Sequence, residues 1–121
     1  MNREELAWAA GFFDGEGSTY VHRSSPHAPK KRTPKVRLSI GQNDPEVLLR
    51  FRDAVGHGVV YGPYARDYSG GVKIHWRYRT NDPSDALTVI KLLWPWLGSK
   101  KKAQAKLAWK RVKAWQVQKL A

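Results

Sequence analysis

Residues 72–80 read VKIHWRYRT, in which Val72, Ile74, Trp76 and Tyr78 alternate with Lys73, His75, Arg77 and Arg79. Side chains switch faces at every residue along a strand, so this segment reads as a strand with one apolar and one basic face. Val36, Leu38 and Ile40 alternate with Arg37, Ser39 and Gly41 in the same way. Val59 to Ala65 reads as the partner of Val72 to Thr80 in a hairpin turning at Ser69-Gly70-Gly71, and Ser18 to Arg23 reads as a further strand. Four strands, each with one face to bury, call for a covering layer.

Helix signals between the strands supply it. Asn2 caps a first helix, with Glu5 placed to reach back in a capping box. Leu6, Ala9, Ala10 and Phe13 follow at helical spacing, and Gly15 and Gly17 stop the element. Asn43-Asp44-Pro45-Glu46 starts a second helix, with Asp44 as cap and Pro45 in its first turn, and Gly56 ends it. The same signal recurs at Asn81-Asp82-Pro83. Gly98-Ser99 precedes a final helix in which Ala105, Ala108, Trp109, Val112 and Trp115 fall near one stripe. Trp76, Trp94, Trp96 and Trp109 sit where they would pack helices on the sheet. The order helix-β-β-helix-β-β-helix-helix predicts an α+β fold, a four-stranded antiparallel sheet with helices on one face, and one domain over 1–121.

Charge says what the other face meets. Lys and Arg number 22 against 10 Asp and Glu, a formal net charge of +12, which points to a polyanion, nucleic acid being the commonest. A hydrophobic share of 41% with six Trp excludes a disordered basic tail. Cysteine is absent, which excludes disulfides and thiolate metal sites, and the four histidines show no zinc spacing. No apolar run is long enough for a bilayer and the N-terminus is too acidic for a signal peptide, so the expectation is a soluble, intracellular protein without a membrane partner. Lys35, Arg37, Lys73, Arg77 and Arg79 would cover the outer sheet face, where alternate side chains of a two-stranded ribbon can reach base edges in the DNA major groove. Ser18, Tyr20, His22 and Ser24 share one parity along the first strand, Ser39 joins Lys35 and Arg37 along the second, and His75 completes the fourth. The intervening segment SSPHAPKKRTPK adds Lys30, Lys31 and Arg32 as a basic loop.

Residues 9–17, AAGFFDGEG, carry the sharpest chemical signal. Asp14 and Glu16 fall where the first helix ends, and a helix C-terminus disfavours acids because its unpaired carbonyls are already partially negative. A divalent metal would satisfy both carboxylates and carbonyls. An EF-hand reading fails because Ser25 stands where the loop's closing Glu should be. Ala7, Ala10 and Gly11 leave little side chain on this helix, so close approach of a second helix is expected.

AAGFFDGEG resembles the LAGLIDADG motif of homing endonucleases, with small residues, Gly11, two bulky apolar residues, Asp14, an acid at Glu16 and Gly17 in matching places. LSIGQND at 38–44 resembles the family's second-strand ending, and PWLGSKKKAQA at 95–105 resembles its basic segment before the last helix. The resemblance implies the homing endonuclease fold with a saddle-like sheet. It implies a site-specific enzyme that cuts both strands of a long, palindromic or near-palindromic duplex by metal-dependent hydrolysis and leaves short 3′ overhangs. By the same resemblance Glu16, replacing the commoner Asp, and the Gly15 carbonyl hold Mg2+, with Mn2+ or Ca2+ able to take its place for binding. Gln42 orders water, and Lys100 stabilises the reacting phosphate. The motif occurs once, so the family pattern implies a homodimer through the motif helix, with Ala7, Ala10, Gly11 and Asp14 at the contact. RNA maturases and non-cleaving DNA-binding proteins share the motif and are the alternatives.

Overall fold

The first three α-helices each begin on a side-chain cap that the local sequence supplies. Asn2 accepts the Glu5 N–H at 3.2 Å and starts α1, Arg3–Glu16. Asp44 accepts the Glu46 N–H at 2.9 Å ahead of α2, Pro45–Val55, and Asp82 accepts the Ser84 N–H at 2.8 Å ahead of α3, Pro83–Leu93. These aspartates quench N–H groups that a helix cannot satisfy internally, and the proline beside each is set for the first turn. α2 stops at Gly56, which adopts a left-handed φ of 74°. A short 3-10 turn, Trp94–Trp96, leads into α4, Ser99–Leu120. The computed structural model describes residues 2–22 and 34–120, without the side chains of Tyr68 and residues 115–120.

Strands β1 (Gly17–His22), β2 (Lys35–Gln42), β3 (Val59–Tyr68) and β4 (Gly71–Arg79) form one antiparallel sheet in the order β1-β2-β4-β3. The α+β architecture is as the sequence predicts. Leu38 and Ile40 of β2 and Tyr78 of β4 are buried with Phe13 of α1, Phe51 and Leu48 of α2, and Val89 and Leu93 of α3. Phe51 meets Tyr78 edge-on at 4.8 Å between ring centroids, and the Tyr78 hydroxyl donates to the His57 carbonyl at 2.8 Å. Burial raises the Tyr78 pKa well above its ordinary value, so its proton stays in that bond. Thr80, just past β4, donates its N–H to the Leu38 carbonyl at 3.1 Å and accepts the Leu38 N–H on its hydroxyl at 2.9 Å. That bidentate lock prolongs the β2–β4 ladder into the next helix start. Trp76, Trp94, Trp96 and Trp109 pack half-buried against the core rather than within it.

Four local expectations change. α1 runs through Gly15 and ends at Gly17, whose N–H bonds the Phe13 carbonyl. One glycine in a last turn costs about 1 kcal/mol, too little to end a helix packed on a sheet. A Cβ at Gly17 would strike the Phe13 ring, so glycine is required where helix turns into strand. Glu5 does not close a capping box. Its carboxylate accepts two hydrogen bonds from Arg50 of α2, at 2.8 and 3.1 Å, and that partner holds its pKa below the usual carboxylate value.

Val72 and Ile74 share the inward parity of Trp76 and Tyr78 yet are 64% and 52% exposed. The β3–β4 hairpin, turning at Ser69-Gly70, extends past the helices that cover the rest of the sheet. In β3 the register shifts between Tyr61 and Tyr64, which face Arg77 and His75 respectively. The extra residue sits at Gly62-Pro63, where Gly62 has φ 137° and a Cβ would come within 2.6 Å of the Trp76 ring.

Candidate active site and nucleic-acid interface

The two acids of AAGFFDGEG have different surroundings. Both oxygens of Asp14 lie 3.1 Å from the Gly98 N–H, the residue just before α4. Asp14 therefore caps the last helix from the end of the first, a charge-assisted bond between two element ends. Glu16 is exposed, and its carboxylate forms no hydrogen bond or ion pair among the described residues. Beside it the Gly17 carbonyl accepts a hydrogen bond from Lys101, whose ammonium also lies 6.0 Å from the Phe13 ring centroid. Lys100 is exposed and makes no such contact, whereas Lys102 lies 5.2 Å from the Trp94 ring. Of three consecutive lysines, Lys101 is the one that touches the motif.

Register brings Gln42 to the same end of the sheet. β1 begins with Gly17 opposite Ile40, while β2 continues past that pair to Gln42, at the end of the sheet where α1 runs into β1. Gln42 shares parity with Leu38 and Ile40, not with Arg37 and Ser39, and pairs with Trp76. It borders a shallow cleft of about 300 Å³ with Gly41, Asn43, Arg66, Lys73, His75 and Arg77 among its walls.

The outer face of the sheet is a cationic surface built on an ordered hydrogen-bond pattern. Ser18, Tyr20 and His22 of β1 pair with Ser39, Arg37 and Lys35 of β2, and Ser39 and Gly41 pair with Arg79 and Arg77 of β4. Arg77 donates to the Ser39 hydroxyl at 2.9 Å, and Arg79 lies 5.7 Å from the Tyr61 ring centroid. Arg37, Arg77 and Arg79 form no ion pair among the described residues. The Nε atoms of Arg37 and Arg79 are shut off from solvent without a hydrogen-bond partner. Burial, then Arg37, Arg79 and Lys35, lower the His22 pKa, so the ring sits neutral among cations. At these three arginines the surface holds positive charge that no acid among the described residues neutralises. Lys73 and His75 line the distal part, where His75 packs on Tyr64 at 5.4 Å. Ser24, Lys30, Lys31 and Arg32, expected on this interface, lie outside the described residues.

The expected dimer face is altered at two positions, Asp14, which is taken up by the Gly98 N–H, and Ala10. Ala10 is fully buried in its own core, because it follows Leu6 on the inward stripe of α1. Ala7 is half-buried and Gly11 and Gly15 are exposed, with no atom within 4 Å of a Cβ built on either glycine. Trp8 stacks on Phe12 at 5.4 Å beside this strip and carries Arg50 at 3.8 Å.

Solved structures show the same arrangement of elements. The homing endonuclease I-CvuI in complex with its target, in the presence of 2 mM Ca, matches with a TM-score of 0.67 at 26% identity, over 92% of this chain and 67% of that one. I-CvuI in complex with the I-CreI target in 2 mM Mg, where the DNA is not cleaved, matches at 0.67 and 25% identity over 93% of this chain and 69% of that one. The LAGLIDADG homing endonuclease I-GzeII in complex with its DNA target matches at 0.69 and 20% identity, over 93% of this chain. This is the LAGLIDADG homing endonuclease fold. The chain spans 36% of the I-GzeII chain. No family model and no curated protein sequence matches it.

Within this LAGLIDADG fold the metal question rests on the donor set. Among the described residues no three His, Asp or Glu side chains come together as a metal cage. Glu16 nevertheless offers an unengaged carboxylate next to the Gly15 carbonyl, which lies in the last turn of α1 where helix carbonyls lack partners. Mg2+ keeps several waters and is commonly held by one or two carboxylates plus substrate phosphate, so these donors fit as a partial site. Also among the described residues, no helix is long and apolar enough to cross a membrane.

Sequence reasoning missed Tyr61, Tyr64 and Arg66, which the β3–β4 register places on the outer face with Arg77, His75 and Lys73. Their signal was hidden because the bulge reverses the alternation between Tyr61 and Tyr64.

Proposed function

We propose that this protein is a metal-dependent, site-specific DNA endonuclease of the LAGLIDADG homing type that acts as a homodimer. The observation that carries the reading is Glu16, a carboxylate unpaired among the described residues, at the edge of a sheet face whose arginines meet no acid there. The face binds the duplex: Arg37, Arg77 and Arg79 meet phosphates or base edges, with Ser18, Tyr20, His22, Lys35, Ser39, Lys73 and His75 alongside. Tyr61, Tyr64 and Arg66 extend that surface along β3. Ser24, Lys30, Lys31 and Arg32 add contacts from the intervening segment.

Glu16 and the Gly15 carbonyl would hold Mg2+, which when bound supplies Lewis-acid polarisation of the scissile phosphate and activation of a water nucleophile. Gln42, at the end of β2 beyond the partner of Gly17, orients that water by hydrogen bonding. Lys100, exposed on the first turn of α4, faces the charge that develops on the phosphate. Asp14 holds the start of α4 in place while Glu16 does the chemistry. One acid per chain makes half a site. Packing of two motif helices through Ala7, Gly11 and Gly15 brings two copies of Glu16 together, and the resulting two-fold symmetry matches a palindromic or near-palindromic target with one cut per strand. Short 3′ overhangs follow from cuts made across the minor groove, the pattern that the family resemblance implies.

Cleavage selection on a randomised duplex library in Mg2+, with sequencing of the cut ends, tests activity, symmetry and overhang in one measurement. A symmetric site with staggered cuts is the expected outcome. Tighter binding to folded RNA than to any duplex, with no nicking of DNA, would favour the maturase alternative. Binding that falls equally steeply with salt on every sequence would leave only a non-specific cation surface.

A further inference from the structure

Two hydrogen bonds, each spanning 84 residues of sequence, tie the end of α1 to the beginning of α4. One runs from the Gly98 N–H to Asp14, and the other from the Lys101 ammonium to the Gly17 carbonyl. They fall on either side of Glu16 in the chain. No other side chain in the described residues bonds to residues 13–17. The Lys101 contact is half-buried, with the ammonium held near the face of Phe13. An ammonium so placed is engaged by the protein, while Lys100 stands exposed one residue away, about 100° around the helix.

We infer that Lys101 is a positioning residue: with Asp14 it clamps the first turn of α4 to the strand start at Gly17, and so sets Lys100 relative to Glu16. The inference rests on the endonuclease reading. The physical logic is that Glu16 and Lys100 come from elements 84 residues apart in sequence and that neither is anchored by its own side chain. Catalysis on one phosphate needs their separation fixed to within about an ångström, and an error of that size costs roughly 10²-fold in rate. Asp14 fixes the helix start through a backbone N–H, and further along α4 Gln104 accepts the Thr19 N–H at 3.2 Å while Ala105 and Ala108 are buried in the core. Lys101, three residues past Gly98, is the attachment of the first turn, next to Lys100, to the residue that follows Glu16.

The test compares Lys101→Met, which keeps an unbranched stem against Phe13 but removes the donor, with Lys101→Arg, which keeps a donor. Single-turnover cleavage and DNA affinity are measured on the full chain, together with hydrogen exchange at the Gly98 amide and the first turn of α4. Lys101→Met is expected to slow cleavage roughly 10²-fold with DNA affinity unchanged and to speed exchange in that turn. Lys101→Arg is expected to recover most of both. Loss of cleavage that arginine does not recover, with exchange unchanged, would make Lys101 a catalytic group and overturn the inference. So would unchanged cleavage and exchange in Lys101→Met. If the unaltered chain cuts no duplex, the endonuclease reading fails, and the inference that rests on it falls even where the exchange arm still shows the clamp.

Discussion

The two faces of the sheet are made from neighbouring residues of the same strands, yet they obey opposite rules. On the helix side, Leu38, Ile40 and Tyr78 are within 1% of complete burial, and the Tyr78 hydroxyl is bonded to a carbonyl. On the other side, Arg37, Arg77 and Arg79 carry charge without an acid to meet it among the described residues, and the Nε atoms of Arg37 and Arg79 are shielded and unbonded there. Inside, packing is close and, among the described residues, buried polar groups such as Tyr78 and Thr80 are paired, with the Thr19 hydroxyl as the exception. Outside, the arginine donors are left open in a way that a phosphate backbone would close. The stability of the fold and its affinity for a partner are therefore separable by strand parity.

The largest effect that would break this separation is expected on the inner face. Phe51→Ala removes a ring packed against Phe13 and Tyr78, and should cost about 3–5 kcal/mol of stability, read from denaturant unfolding. DNA binding should be lost only to the extent that the chain unfolds. Glu16→Gln is the converse at the sheet's edge: cleavage should fall by about 10²–10³-fold or more while the melting temperature and DNA affinity stay put. Unchanged cleavage by that variant would remove the central functional claim.

Arg77→Ala or Arg79→Ala should weaken binding to the selected site by about 1–3 kcal/mol with unfolding unaffected, as titration on matched and mismatched duplexes will show. If either variant unfolds instead, the outer face is structural and the comparison fails. Ile74→Thr probes the hairpin tip, where inward parity and exposure disagree, and stability should stay within about 0.5 kcal/mol of the parent.

The smallest expected effect is in pH. Because the His22 pKa lies below 6.5 in the folded chain, the unfolded chain takes up the proton first as pH falls. Stability contributed by this group is therefore constant above about pH 6.5 and declines below it until the folded pKa is reached. Phosphate neutralises Arg37, Arg79 and Lys35 and lets His22 protonate, so DNA binding should strengthen modestly as pH drops through that window. His22→Gln should abolish that component of the pH dependence.

Local chemistry explains most of what was legible beforehand. Asp44-Pro45 and Asp82-Pro83 specify helix starts through bonds that span two residues, and period-two alternation in β2 and β4 names both faces whatever the rest of the chain does. Glu16, Gln42 and Gly15 were singled out from a motif and two short segments, and strand register puts Gln42 at the end of the sheet where β1 begins. Other details required distant partners. Glu5 had two candidate partners, and Arg50 of α2 took it because a bidentate ion pair outcompetes one weak backbone contact. Ala10 and Ala7 are alike in sequence, but only the direction of the core tells which one is covered.

By itself the sequence determined the element order, the faces of the strands and the position of two acids at a helix end, because each depends on residues a few places apart. Tertiary structure alone decided which acid is engaged and which stays open. Asp14 was captured by an N–H 84 residues away and Glu16 was not. It also decided that Lys101, of three adjacent lysines, reaches the motif, and that a bulge turns Tyr61 and Tyr64 onto one face. Each of these depends on how a helix is rotated or a strand offset against its neighbour, and packing sets that rotation only once the whole chain has closed around its core.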